Sequence, residues 1–148
     1  MGKTLASGIL AVVLVAGCGS GGGTATAGAA AGNGASTARC APASGTLLAA
    51  ISQGLTVSGG GTLRSGYVVK SNDFAKVWMV AAEIDGSGME KSGDVGVWAT
   101  NDPNGAGMIF AVDGMAKEFS DWGDGSKTDA QFSLSDDGIS VAKACAGK

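Results

Sequence analysis

The sequence predicts an α+β domain over residues 40–148: a mainly antiparallel sheet of four or five strands, with N- and C-terminal helices packed on one face, closed by a disulfide. Three observations carry that expectation. A helical stripe of apolar residues follows Cys40. Apolar runs separated by turns rich in Gly, Asp and Asn fill the middle of the segment. A second cysteine, Cys145, then stands at the far end.

The elements follow in order. Pro42 fits a first helical turn, and Leu47, Leu48, Ile51 and Leu55 recur at helical spacing behind it. Gly54 and the run Ser58-Gly59-Gly60-Gly61 stop that helix. Leu63 to Lys70 reads as a strand ending in the turn Ser71-Asn72-Asp73. Phe74 to Ile84 is ambiguous, because Phe74, Val77, Trp78, Ala81 and Ile84 also match a helical face. A strand is preferred there, since the Asp85-Gly86-Ser87-Gly88 turn and the strand-like Asp94 to Thr100 complete a hairpin. Asn101-Asp102-Pro103-Asn104-Gly105 is a further turn, leading to a strand over Met108 to Val112. Asp113 caps a short helix carrying Met115, Phe119 and Trp122, stopped by Gly123. A polar loop from Asp124 to Asp129 precedes an apolar alternation at Phe132 and Leu134. The last piece admits two readings. Asp137-Gly138 between apolar pairs suits a hairpin, whereas Asp136 and Asp137 before it, Lys143 near its end and Gly147 beyond Cys145 suit a capped helix, which is favoured.

The chain has 148 residues, 27 of them Gly, with 16% charged residues, three Cys and no His. Without histidine there is no Ser-His-Asp or Cys-His triad, no His-ligated zinc and no imidazole switch. A net charge of -3 leaves no basic excess for a phosphate backbone, so nucleic acid is not an expected partner. Charge is also unevenly distributed. Between Lys3 and Arg39 there is none, and every aromatic residue lies beyond residue 66. The packed core must therefore come from the later part of the chain.

The first 17 residues have one cation, Lys3, followed by an apolar stretch from Leu5 to Ala16. That stretch is about a dozen residues, too short for the roughly 20 of a transmembrane helix and suited to the h-region of a signal peptide. It ends in Val15-Ala16-Gly17-Cys18. Here the chain resembles bacterial lipoproteins, whose lipobox sets an aliphatic residue and small residues before an invariant cysteine. The resemblance implies thioether lipidation of Cys18, cleavage between Gly17 and Cys18, and a lipid-anchored place on the outer face of the cell membrane. Two or more acyl chains make such an anchor stable. Residues 18–39 are then the lipidated cysteine and a Gly/Ala/Ser/Thr tether with no large apolar group to offset the entropy of ordering. A Gly-rich coil of that length spans roughly 25 Å.

With Cys18 assigned to lipid, Cys40 and Cys145 remain as an even pair in an exported chain, which favours a structural disulfide. No CxxC suggests a redox role, and no pattern calls for a cofactor.

Chemistry-bearing residues are few. Glu83, Glu90, Glu118, Asp121 and Asp124 are the acids available for a two-carboxylate hydrolase, but nothing pairs them at a diagnostic spacing. Asp121, Asp124, Ser126 and Asp129 cluster in one loop, yet they depart from the alternating oxygens of an EF-hand, so no metal is assigned there. Trp78, Trp98 and Trp122 can either fill the core or stack on a partner. Trp98, Asn101, Asp121, Trp122 and Asp124 are the candidate partner-binding residues, on the expectation that the 100–105 and 121–129 loops meet in an acidic, weakly aromatic rim.

Gly96 to Asn101 and Ala111 to Trp122 are similar to segments of small secreted or lipid-anchored proteins of high-GC Gram-positive bacteria. That resemblance implies an envelope location and supplies no catalytic residue. The leading expectation is thus a tethered, non-enzymatic binding or interaction module of the envelope. Its partner would be an envelope protein, a glycan or an incoming phage component, as for lipid-anchored exclusion proteins. The alternatives are a carrier or sensor of an apolar ligand and, third, a carboxylate hydrolase. A cavity of several hundred Å³ lined by Leu47, Ile51, Val80 and Phe110 would favour the carrier.

Overall fold

Burial of two consecutive strands on both faces organises this molecule. The computed structural model describes residues 37–89 and 94–148. The expected signal peptide, Gly17, Cys18, most of the tether and Glu90 lie outside the described residues.

Six strands form one sheet in chain order: β1 (Ala41–Pro42), β2 (Gly61–Lys70), β3 (Trp78–Gly86), β4 (Val95–Thr100), β5 (Ile109–Ala111) and β6 (Gly123–Asp124). Neighbours from β1 to β5 pair antiparallel, whereas β5 and β6 run parallel, joined through the short helix α2 (Gly114–Glu118). The sheet is therefore mixed and has six strands rather than four or five. The two additional strands are two residues each, too short to leave any period in the sequence, and they exist because longer neighbours offer free edges. Pro42 lies in edge strand β1, where a missing N–H costs little, and not in a helical turn.

The helices do not share one face. In β3, Met79 and Ala81 pack with Val69, Val97, Ala99, Ile139 and Ala142, so they face helix α3 (Ile139–Ala146). The intervening Val80 and Ala82 pack with Leu47, Ile51, Trp98 and Ala116, facing helix α1 (Gly45–Ser52) and α2. Successive strand side chains point to opposite faces, so α1 and α2 cover one side and α3 the other. The physical reason lies in β3 and β4 themselves. Met79-Val80-Ala81-Ala82 is fully buried, and all six residues of β4 are buried. Strands covered on both faces carry unbroken apolar runs in place of a polar alternation.

Local chemistry sets the helix starts. The Ser44 hydroxyl accepts from Leu47 N at 3.1 Å and begins α1. Asp113 Oδ1 accepts from Ala116 N at 2.9 Å and begins α2. Residues 139–146 form a helix, not a hairpin. Asp137 does not cap it. Gly138, at φ 95°, takes the N-cap position, a left-handed conformation that suits glycine. The alternation at Phe132 and Leu134 is irregular chain, with Phe132 buried and Leu134 exposed.

Cys40 and Cys145 form a disulfide across a sequence separation of 105, joining the segment before β1 to the end of α3. Arg39 reinforces that closure: its guanidinium donates to both Asp137 oxygens, at 2.8 and 2.6 Å, and to Lys70 O at 2.6 Å. Thr37–Arg39, inside the segment expected to be tether, form a short 3-10 turn. No described helix is long and apolar enough to cross a membrane.

Candidate ligand-binding cleft

The far end of the β4–β5 pair supplies one wall of a cleft. Ala99, Thr100 and Asn101 leave β4, and Met108 and Phe110 bring β5 back beside them. The turn between them is closed by Asn101, whose Oδ1 accepts from Met108 N at 2.8 Å. Gly107 is needed there, because a Cβ would stand 2.2 Å from that Oδ1.

The opposite wall is the loop Lys127 to Phe132. One carbonyl holds it: Gly125 O accepts from Thr128 N at 3.3 Å, Thr128 Oγ1 at 2.8 Å and Phe132 N at 3.0 Å. Gly125 also lets the loop approach the sheet, since a Cβ would lie 3.0 Å from the Phe132 ring and 3.1 Å from Ala111 O. Phe132 is consequently buried between Phe74, edge-on at 5.1 Å, and Phe110, at 6.3 Å between ring centroids.

Together these walls enclose a half-open cavity of about 490 Å³. Val77, Ala99, Phe110 and Phe132 give it an apolar interior, with Ala130 and the exposed Met108 at the sides. Asn101, Lys127, Thr128 and Asp129 form the polar rim. Thr100 and Asn101 of the 100–105 loop and Lys127 to Asp129 of the 121–129 loop thus line opposite sides of one cavity, whose rim is of mixed rather than acidic charge.

Of the five candidate binding residues, only Asn101 belongs to this cleft. Trp98 is fully buried, its Nε1 donating to Ser120 Oγ at 3.2 Å, and has no surface to offer a partner. Its ring covers Gly96, where a Cβ would come within 2.5 Å. Trp122 is half-buried, with its indole against Gly54 and its Nε1 donating to Ile51 O at 2.8 Å, which joins the end of α1 to the segment after α2. Asp121 is exposed beside it, its backbone N donating to Gly54 O at 2.8 Å. Asp124 is engaged locally. Lys117 Nζ at 2.7 Å, with Ser126 N at 3.0 Å and Ser126 Oγ at 2.8 Å, holds its carboxyl at about 2, below the ordinary range. Trp78 is half-buried, its ring 6.0 Å from Lys70 Nζ.

Compared with family models, with curated proteins and with solved structures, the chain matches none.

The chemistry of the site must therefore be read from its own residues. Among the described residues no three Cys, Asp or Glu side chains converge as a metal site. Among the described acids Asp129 lines the cleft, and Glu83, Glu118, Asp121 and Asp124 do not. Glu83 instead receives Arg64 Nε at 3.2 Å on the sheet surface. What the cleft can do is bury an apolar group and contact a polar one at the rim. Sequence reasoning missed its interior because Val77, Ala99, Phe110 and Phe132 look like any core residues. The available signal was Met108, a large apolar residue beside a turn, which is 60% exposed.

Proposed function

We propose that this chain is a lipid-anchored binding module of the bacterial envelope, held through Cys18 on the outer face of the cell membrane, whose cleft takes a small ligand with an apolar body. The anchor is supported by the run Val15-Ala16-Gly17-Cys18 behind a short apolar stretch. The ligand reading is carried by one observation: an apolar cavity of about 490 Å³ with a polar rim. Small-molecule sites commonly measure roughly 300–1,000 Å³ and have this composition. This favours a small ligand over a protein or glycan docked on a flat patch. The cavity differs from one between sheet and helices, since Leu47, Ile51 and Val80 are sealed in the core and only Phe110 reaches it.

The ligand reading is tested by titrating indole, an aromatic probe, into the detergent-solubilised full chain. Methyl resonances of Ala99, Met108 and Ala130 should shift saturably. An Ala130→Trp variant, which fills the cleft, should abolish the response at Ala99 and Met108. Shifts spread evenly over the molecule, or none, would overturn the reading. For the anchor, Cys18→Ser should release the protein from the membrane fraction, and continued retention would refute it.

A further inference from the structure

The cleft's rim carries two opposite charges that no described residue pairs. Arg39 is paired with Asp137, Arg64 with Glu83 and Asp85, Lys117 with Asp124, and Lys143 with Asp113. Lys127 and Asp129 make no ion pair and no side-chain hydrogen bond with any described residue, nor with each other. Asn101, on the same rim, spends its Oδ1 on Met108 N, while its Nδ2 donates to no described residue. The cleft thus offers a cation and an amide donor for an anion, a carboxylate for a cation, and an apolar well behind them.

We propose that the ligand is a free amino acid with a large apolar side chain, a reading that rests on the cleft being a ligand site. Its carboxylate meets Lys127 and the Asn101 amide, its ammonium meets Asp129, and its side chain enters the well against Phe110 and Phe132. Charge complementarity selects this class. An anionic amphiphile would satisfy Lys127 but be repelled by Asp129, and a cationic one would suffer the reverse. Only a zwitterion uses both. Lys127 and Asp129 are two positions apart, so their Cα atoms lie within about 7 Å. The two charges are thus close enough for the amino and carboxyl groups of one small ligand. Charge-assisted hydrogen bonds of this kind are about twice as strong as neutral ones, and so they set specificity while the well supplies burial.

The test uses the same methyl resonances and the full chain. L-phenylalanine, L-leucine, L-isoleucine and L-methionine are titrated alongside N-acetyl-L-phenylalanine, which lacks the ammonium, and L-phenylalaninamide, which lacks the carboxylate. At least one free amino acid should bind saturably, and each blocked form of phenylalanine should bind about tenfold or more weakly than the parent. Asp129→Asn should remove the penalty for the acetylated form, and Lys127→Met that for the amide, with the chain still folded. If indole shifts the cleft methyls while no amino acid does, the amino-acid proposal fails and the ligand site stands. Failure of indole and amino acids together removes both. Equal affinity for free and blocked phenylalanine would overturn the proposal while leaving an apolar cleft.

Discussion

Lys143, on the helix covering one face of the sheet, donates at 2.8 Å to Asp113, whose other oxygen starts the helix on the opposite face. The same Oδ1 also accepts from Val97 N in β4 at 3.0 Å. Asp113 is 4% exposed, so one carboxylate connects three elements inside the protein.

Asp113→Ala should therefore be costly, because it removes the cap and leaves two backbone N–H groups without their acceptor. A loss of about 2–4 kcal/mol is expected from the cap and the stranded donors together. Lys143→Met should cost less, about 1–2 kcal/mol, since the buried Asp113 loses its cation but keeps its two backbone donors. Urea unfolding of both variants under oxidising conditions checks the asymmetry. Equal losses would show that the ion pair, rather than the cap, carries the effect.

Acid should weaken the closure at the N-terminal end of the domain. The Arg39 guanidinium, with help from Asn72 N at 2.8 Å, holds the Asp137 carboxyl at about 2, against an ordinary value of 3.8. Between those values the unfolded chain binds the proton more readily than the folded one. The stabilisation is thus fully present above about pH 4 and is lost as pH falls toward 2. Asp137→Asn should be less stable than the native chain at neutral pH and converge with it by pH 2. A difference that stays constant across this range would refute the assignment.

Reduction of Cys40–Cys145 should destabilise the domain strongly, because the bond closes a loop spanning 105 positions. The chain-entropy relation gives about 4–5 kcal/mol for such a loop. A Cys40→Ser, Cys145→Ser double variant should lose an amount of that order in denaturant unfolding. A loss below about 1 kcal/mol would mean that the unfolded chain is already constrained in another way, for example by residual structure near Arg39 and Asp137.

Much of this architecture was legible where the determinants are local. Asp113 three residues before Ala116, and the pair Lys143 and Gly147, mark α2 and α3 as chain neighbours can. Likewise, the turn residues around Asn101 separate β4 from β5. Strands β1 and β6 were not legible, since each is a pair of residues whose structure is imposed by a neighbour. The placement of helices on both faces was written in Met79-Val80-Ala81-Ala82, a run with no polar alternation, although helix caps and turns say nothing about faces. The cleft draws on positions from Val77 to Phe132, and the hydrogen bonds that shape it converge on the carbonyl of Gly125. A backbone acceptor has no signature in a sequence.

Trp98 lies across Gly96, two residues earlier in β4, and a Cβ at Gly96 would stand 2.5 Å from Cη2 and 3.0 Å from Cζ3 of the indole. Both residues are buried, so the ring has no solvent to move into, and its Nε1 is held by Ser120. Gly96→Ala should cost about 1–3 kcal/mol by overpacking. Trp98→Phe should itself be destabilising, through the smaller ring and the lost bond to Ser120. In the double variant the smaller ring makes room for the methyl group, so the two losses should sum to more than the measured total. A coupling of at least about 0.5 kcal/mol in that direction is expected for residues in contact. Additive losses in a denaturant double-mutant cycle would show that the sheet relieves the clash by shifting backbone, and that Gly96 is not reserved for the indole.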